Sequence, residues 1–331
     1  MTKRRQHIPL SMVHPEFRAM SGQIEDFTRD APPLTNASLS ELRNRDLPFR
    51  RPLVDVVPVE QRLISDEAQD HHTSIYTINA KAGQNRPAIL HMHGGGFVAG
   101  KASDALGMLQ QLALDLDSVI VTVDYRLAPE ARWKDSIEDN YAALKWLYSN
   151  AEALGVDARR IAVMGDSAGG GHAALLAIMA RDRGEVPLVH QCLIYPMLDD
   201  RSGSTRQLPY HVGGLIWTAD NNRFGWEAFL GQVPGTDNVP KQAVPARLDD
   251  FSDLPPAFIG VGTLDLFVDE GISYAQRMNQ AGVTAELILV PGVFHGFDVI
   301  APNAVVSQWF YRAMIQAFKR AFGITNDMML D

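Results

Sequence analysis

Cysteine is all but missing from this 331-residue chain, which holds one, Cys192, so no disulfide can form within it. Its setting, Val189 to Tyr195, reads as a strand, and Cys192 is expected to be a buried structural thiol. Long apolar runs are absent as well. Nowhere does the chain approach the roughly twenty consecutive apolar residues of a membrane span. After the basic cluster Lys3-Arg4-Arg5, the stretch Ile8 to Pro15 is too broken to serve as the apolar core of a signal peptide, so the cluster reads as a solvated terminus. The cytoplasm is the expected address. Positive charge is also short: 30 Lys and Arg face 39 Asp and Glu, a net charge of −9. That balance argues against a nucleic-acid partner, because phosphate binding needs a basic patch.

Apolar material is ample: 46% of residues are hydrophobic, enough for a core that needs no metal or disulfide staple. Prolines 9, 15, 32, 33 and 48 break residues 1–50 into short pieces, with a helical pattern of Phe17, Met20, Ile24 and Phe27. From Val54 onward strand-like and helix-like segments alternate. Strands are predicted over 57–64, 73–79, 88–93, 118–124, 161–164, 189–195, 257–262 and 285–290. Helices are predicted over 135–154, from Ser167 onward, over 268–280, and at the end of the chain with Pro302 near the start. Such alternation implies a mostly parallel sheet covered on both faces. Residues 200–250, rich in Gly, Pro and Trp, interrupt the rhythm as an insertion.

Gly165-Asp166-Ser167-Ala168-Gly169 fits G-x-S-x-G and lies between a predicted strand and a helix. A turn that sharp needs glycine at its flanks and lifts the serine hydroxyl to a helix N-terminus, where negative charge is favoured. His93-Gly94-Gly95-Gly96-Phe97 follows another strand. Its glycines let main-chain N–H groups approach an oxyanion, with Ala168, after the nucleophile, as a further donor. A serine nucleophile needs a base, and the base an orienting acid, in the chain order Ser, Asp or Glu, His. Asp265 and His295 both follow predicted strands, on the rim where Ser167 sits. Asp269 and Glu270 are expected as capping and first-turn acids of the next helix. His172 should be helix packing, while His190 and His211 lack strand-end placement. His91 and His93 alternate on one strand but have no third ligand nearby, so no metal and no cofactor is expected, and His93 is expected to brace the glycine loop.

Taken together, these motifs resemble the hormone-sensitive-lipase family of carboxylesterases, bacterial family IV. Asp124-Tyr125-Arg126-Leu127-Ala128-Pro129-Glu130, Asp265-Leu266-Phe267-Val268-Asp269-Glu270 and His295-Gly296-Phe297 extend the match over residues 55–320. The resemblance implies an α/β-hydrolase fold: an eight-stranded, mostly parallel sheet flanked by helices, residues 51–331, under a helical cap built from residues 1–50 and about 200–235. It implies Ser167, Asp265 and His295 as catalytic residues, and Gly95 and Gly96, ahead of Gly94, as oxyanion donors with Ala168. The Asp124–Glu130 segment would be scaffolding. A small-molecule ester of short to medium acyl chain is the implied substrate, and a homodimer through the strand 285–290 the implied assembly. An amide or formamide hydrolase on the same scaffold and a non-catalytic ligand receptor of this fold are the rival readings, although such receptors lack the histidine. The chain departs from the family at Leu266, at Gly171-His172 and at Arg132-Trp133, all positions that bear on the pocket edge. Phe17, Phe27, Trp217, Phe224 and Trp226 would either line an acyl pocket or pack the cap onto the sheet.

Overall fold

The computed structural model describes residues 7–45, 49–66 and 71–324. The Lys3-Arg4-Arg5 cluster and Pro48 lie outside the described residues. Two helices come first, α1 (Arg18–Asp30) and α2 (Leu39–Asn44). The strands then follow as β1 (Val59–Asp66), β2 (His71–Ile78), β3 (Arg86–Met92), β4 (Val119–Asp124), β5 (Val156–Asp166), β6 (His190–Ile194), β7 (Ala257–Gly262) and β8 (Ala285–Val290). Between and after them lie α3 (Leu106–Asp115), α4 (Trp133–Ser149), α5 (Ala151–Leu154), α6 (Ala168–Arg183), α7 (Ala219–Leu230), α8 (Val268–Gln280), α9 (Phe297–Ile300) and α10 (Val305–Phe322).

All eight strands form one sheet in the order β1-β2-β4-β3-β5-β6-β7-β8. The first two pairings, β1 with β2 and β2 with β4, are antiparallel, and every later one is parallel. The central strands carry apolar side chains on both faces: β3, β6 and β7 are almost wholly buried, as a sheet sandwiched between helices requires. Because β4 and β5 both flank β3, the order of connection reverses there. The carboxyl ends of β3 and β5 therefore open a crevice, the place where this architecture holds its ligands.

Several predicted boundaries move. The predicted helix 135–154 is two helices, broken at Asn150, whose side-chain amide donates to the Trp146 carbonyl at 2.8 Å and competes with the helical ladder. α4 also starts earlier, at Trp133, where the Asp135 carboxylate reaches back to the Arg132 N–H at 2.9 Å. β5 starts at Val156, well before Ile161, because Val156 pairs with Arg86 ahead of a register shift. Pro302 precedes the closing helix: α10 starts at Val305, and Glu16 from the N-terminal segment accepts from Val305 N–H at 2.8 Å and Val306 N–H at 3.0 Å. A distant carboxylate does the capping that local sequence does not.

The 200–250 insertion is folded by ion pairs. Buried Asp200 takes Arg247 at 2.7 and 2.9 Å and the Gly235 N–H at 2.6 Å. Asp199, also buried, binds Arg201 and Arg206. Cys192 is buried in β6, and burial pushes its thiol well above the ordinary range. Among the described residues no helix is long and apolar enough to cross a membrane.

Candidate active site

Ser167 stands between the last residue of β5 and the first of α6 with φ of 58° and ψ of −121°, a left-handed backbone that a residue with a Cβ rarely adopts. The elbow is enforced by its glycines. A Cβ on Gly165 would strike the Gly169 carbonyl, and one on Gly169 the Met92 carbonyl of β3. Ser167 N–H donates to Ile194 O at 2.9 Å, and its own carbonyl accepts from Met197 N–H at 2.9 Å, so β6 and its exit loop grip the elbow.

Asp265 and His295 reach the same rim from the loops that follow β7 and β8. His295 Nδ1 donates to Asp265 Oδ2 at 2.8 Å, and His295 Nε2 lies 2.9 Å from Ser167 Oγ. The second carboxylate oxygen of Asp265 accepts from Phe267 N–H at 3.0 Å, which fixes the acid in place. All three side chains are buried. The imidazole is held between ring edges, with Tyr195 at 4.8 Å and Phe267 at 5.2 Å between centroids. With Nδ1 bound to a carboxylate, Nε2 is left as the acceptor facing the serine hydroxyl.

The glycine loop is folded back on itself at positive φ: Gly95 at 127°, Gly96 at 62° and even Phe97 at 66°. Val98 and Ala99 N–H groups both return to the Gly95 carbonyl, at 3.1 and 3.0 Å. Among the described residues the N–H groups of Gly95, Gly96 and Ala168 donate to no carbonyl of the chain, which leaves them open to an incoming oxygen. The Gly94 N–H likewise donates to no carbonyl among the described residues, and Gly94 lies against the Asp166 side chain. His93 does brace this loop: Nδ1 donates to the Gly94 carbonyl at 2.7 Å, and the ring stacks on Tyr125 at 4.2 Å. Burial holds its pKa below the usual imidazole range. Tyr125 OH in turn donates to the His93 carbonyl at 2.6 Å. His91 is engaged elsewhere, with Thr122 Oγ1 at 2.9 Å and Asp166 Oδ1 at 3.3 Å.

The remaining candidates separate. His172 is buried in a box of Phe97, Tyr125 and Phe229, as packing. His190 meets the edge of Phe318, and His211 lies beside Tyr210. Asp269 and Glu270 do occupy the first turn of α8, but neither caps it. Glu270 is buried, and its Oε2 accepts from Leu198 N–H at 3.0 Å and from Asp199 N–H. Burial, followed by the Asp199 charge, raises its carboxyl well above the usual range. Of the five aromatic residues singled out, Phe17 and Trp226 are core, packed on Phe294 and Phe297 and on Phe97 and Phe229 respectively. Phe27 is half exposed and Phe224 is half-buried against the core. Trp217 is the one of the five that covers Gly96: its indole rests directly on that residue, with Nε1 held by Asn222 Oδ1 at 3.2 Å.

Three features carried no signal in the sequence. Arg43, on α2, binds the Val98 carbonyl; Tyr195 binds Asp298; and Glu270 turns inward to the β6 exit loop. Each depends on a partner at least 55 residues away.

Comparison with known proteins gives one answer. The family model described as alpha/beta hydrolase fold matches residues 89–299. Esterase LipI of Mycobacterium tuberculosis is 38% identical over 264 residues, which are 77% of this chain and 79% of that protein. Ethyl acetate hydrolase of Pseudomonas putida is 34% identical over 211 residues, 63% of this chain and 65% of that one. Among solved structures, a bacterial heroin esterase superimposes with a TM-score of 0.82 at 33% identity, covering 95% of this chain and 99% of its own. Esterase LipW of Mycobacterium marinum gives 0.77 at 28% identity, covering 96% and 98%.

Proposed function

This chain belongs to the hormone-sensitive-lipase-like, family IV carboxylesterases of the α/β-hydrolase superfamily and is a carboxylic ester hydrolase; from that premise we propose that it cleaves short- to medium-chain acyl esters through an acyl-enzyme on Ser167. The observation that carries the reading is the unbroken relay Asp265–His295–Ser167, with contacts of 2.8 and 2.9 Å.

His295 Nε2 takes the proton from Ser167 Oγ as the oxygen attacks the ester carbonyl, forming a tetrahedral oxyanion. Asp265 keeps the Nδ1–H tautomer and stabilises the imidazolium. Gly95, Gly96 and Ala168 N–H groups receive the oxyanion, each donor being worth roughly 3 kcal/mol of transition-state stabilisation. The imidazolium then gives its proton to the leaving alcohol oxygen, and the acyl group stays on Ser167. Water repeats the sequence: His295 takes its proton, its oxygen attacks the acyl carbon, and Ser167 Oγ leaves with the proton returned. No step needs a metal or cofactor.

Residues 1–50 and 200–235 act as a cap over a catalytic domain spanning 51–331. Trp217, seated on Gly96, bounds the space beside the oxyanion donors and favours small acyl groups over long ones. The proposed setting is the cytoplasm, and the fold needs no disulfide, since its single cysteine is buried in β6. A homodimer would pair through β8, whose outer edge meets no strand among the described residues.

A fluorophosphonate probe tests the reading. Wild-type protein should take one equivalent on Ser167 and hydrolyse acyl esters faster than matched aryl amides. Replacing Ser167 with Ala should abolish labelling and lower kcat by on the order of 10⁴-fold. Unlabelled wild-type protein would support the receptor reading instead, and faster amide cleavage the amidase reading.

A further inference from the structure

The loop that presents Gly95 and Gly96 is held from above by the cap. Its main-chain conformation is costly, with three successive residues at positive φ and one of them, Phe97, not a glycine. Such a loop keeps its shape only when its surroundings over-determine it. The 200–235 segment supplies part of that restraint: Gly225 of α7 packs against the Gly96 carbonyl, Trp217 covers Gly96, and the Phe97 ring stacks on Phe229 at 4.0 Å. The other part comes from one side chain at the opposite end of the sequence.

Arg43 of α2 makes four hydrogen bonds, all of 2.8 Å. Nε donates to the Val98 carbonyl and one Nη to the Ala128 carbonyl, while the two Nη groups together grip both oxygens of Glu130. Val98 and Ala128 are already linked through the loop, since Ala128 N–H donates to Phe97 O at 2.9 Å and Val98 N–H returns to Gly95 O. The planar guanidinium thus closes a ring that contains Phe97, which follows Gly96, and Val98, whose N–H holds the Gly95 carbonyl. A fork of fixed geometry can satisfy two carbonyls and a carboxylate at once; an ammonium cannot. The Arg43 pairing also holds the Glu130 carboxyl down to about 2, so the partner stays ionised.

We propose that Arg43 is a positioning residue for the oxyanion donors, a cap side chain that sets where the Gly95 and Gly96 N–H groups point. This role rests on the serine-esterase reading. It predicts that losing Arg43 weakens binding of the transition state more than binding of the ester.

The test compares R43A, R43K and E130Q in the full-length protein by steady-state kinetics and by inhibition with an aryl trifluoromethyl ketone, which adds to the serine as an oxyanion. R43A and R43K should both lower kcat by on the order of 10- to 100-fold with KM within about threefold, and weaken the ketone by a matching factor. R43K serves where R43A does not fold, since it keeps the charge beside Glu130 and loses the fork. E130Q should stay within about threefold of wild type, because a pair with one partner well exposed contributes little. Wild-type kcat in R43K, or a fall in kcat with ketone affinity unchanged, would overturn the role of Arg43. Wild-type protein that takes no fluorophosphonate would overturn the underlying serine mechanism, a result scored separately.

Discussion

The hydroxyl of Tyr195, at the exit of β6, donates to Oδ1 of Asp298 in α9 at 3.0 Å. Tyr195 adopts φ of 35°, and its ring meets the edge of His295. The bond therefore ties the strand that grips the Ser167 elbow to the segment that follows His295, so it and the Ser167–His295 contact join the same two regions. Replacing Tyr195 with Phe keeps the ring and removes only this tie. Turnover should fall by roughly three- to tenfold with KM nearly unchanged, since the loss concerns alignment and not binding. A rise in KM alone would show that the hydroxyl serves the pocket.

Asp298 itself gives a pH prediction. Desolvation pushes its carboxyl up to about 6, against the Tyr195 hydrogen bond that pulls it down. A carboxyl raised in the folded state binds more protons there than in the unfolded chain. Its contribution to stability is complete below the ordinary carboxylate range and is lost as pH rises through about 6. Asp298→Asn removes that dependence. The Tm of the variant relative to wild type should therefore climb between about pH 4 and about pH 8; a flat difference would mean Asp298 titrates normally.

His172 works in the opposite direction. It is buried in its aromatic box with neither ring nitrogen hydrogen-bonded among the described residues. Burial, then the neighbouring His93, lowers its pKa to about 3. The unfolded chain takes this proton first, so the stability is present above the ordinary imidazole range and is lost as pH falls toward 3. By pH 4 the cost should reach on the order of 3 kcal/mol. Urea unfolding of His172→Leu at neutral and acid pH should show that portion of the acid sensitivity removed.

Two glycine substitutions should separate by sign. Gly169→Ala drives a methyl into the Met92 and His93 carbonyls, which belong to the central sheet and its exit and cannot yield. The protein should fold poorly or lose its elbow geometry, with activity lost. Gly22→Ala, inside α1 with open space around it, should instead stabilise by about 0.5–1 kcal/mol. Chemical denaturation of both variants reads the contrast.

The proposed acyl preference predicts a role for Trp217. p-Nitrophenyl butyrate should be hydrolysed faster than the palmitate, and Trp217→Ala should narrow the ratio by opening the space beside Gly96. An unchanged ratio in the variant would place the acyl chain elsewhere.

The sequence by itself determined the class of sheet, because alternating periodicities and buried β-type runs such as Ile89 to Met92 permit few other arrangements. It also singled out Ser167, Asp265 and His295, since each follows a strand and strand ends converge on one rim whatever the loops do. The glycine loop was legible for a similar reason: only residues without a Cβ can fold back as Gly95 and Gly96 do. Local patterns were less reliable at boundaries: a remote carboxylate, Glu16, meets the start of α10, and one local side chain, Asn150, breaks the predicted long helix. Tertiary structure alone decided which aromatic rings are core and which one, Trp217, covers Gly96. It alone brought Arg43 to Val98, Tyr195 to Asp298 and Glu270 to the β6 exit loop. These contacts join positions far apart along the chain, and a side chain's reach there depends on how the layers pack. Periodicity reports the face a residue occupies, but not the carbonyl or carboxylate waiting on the other side.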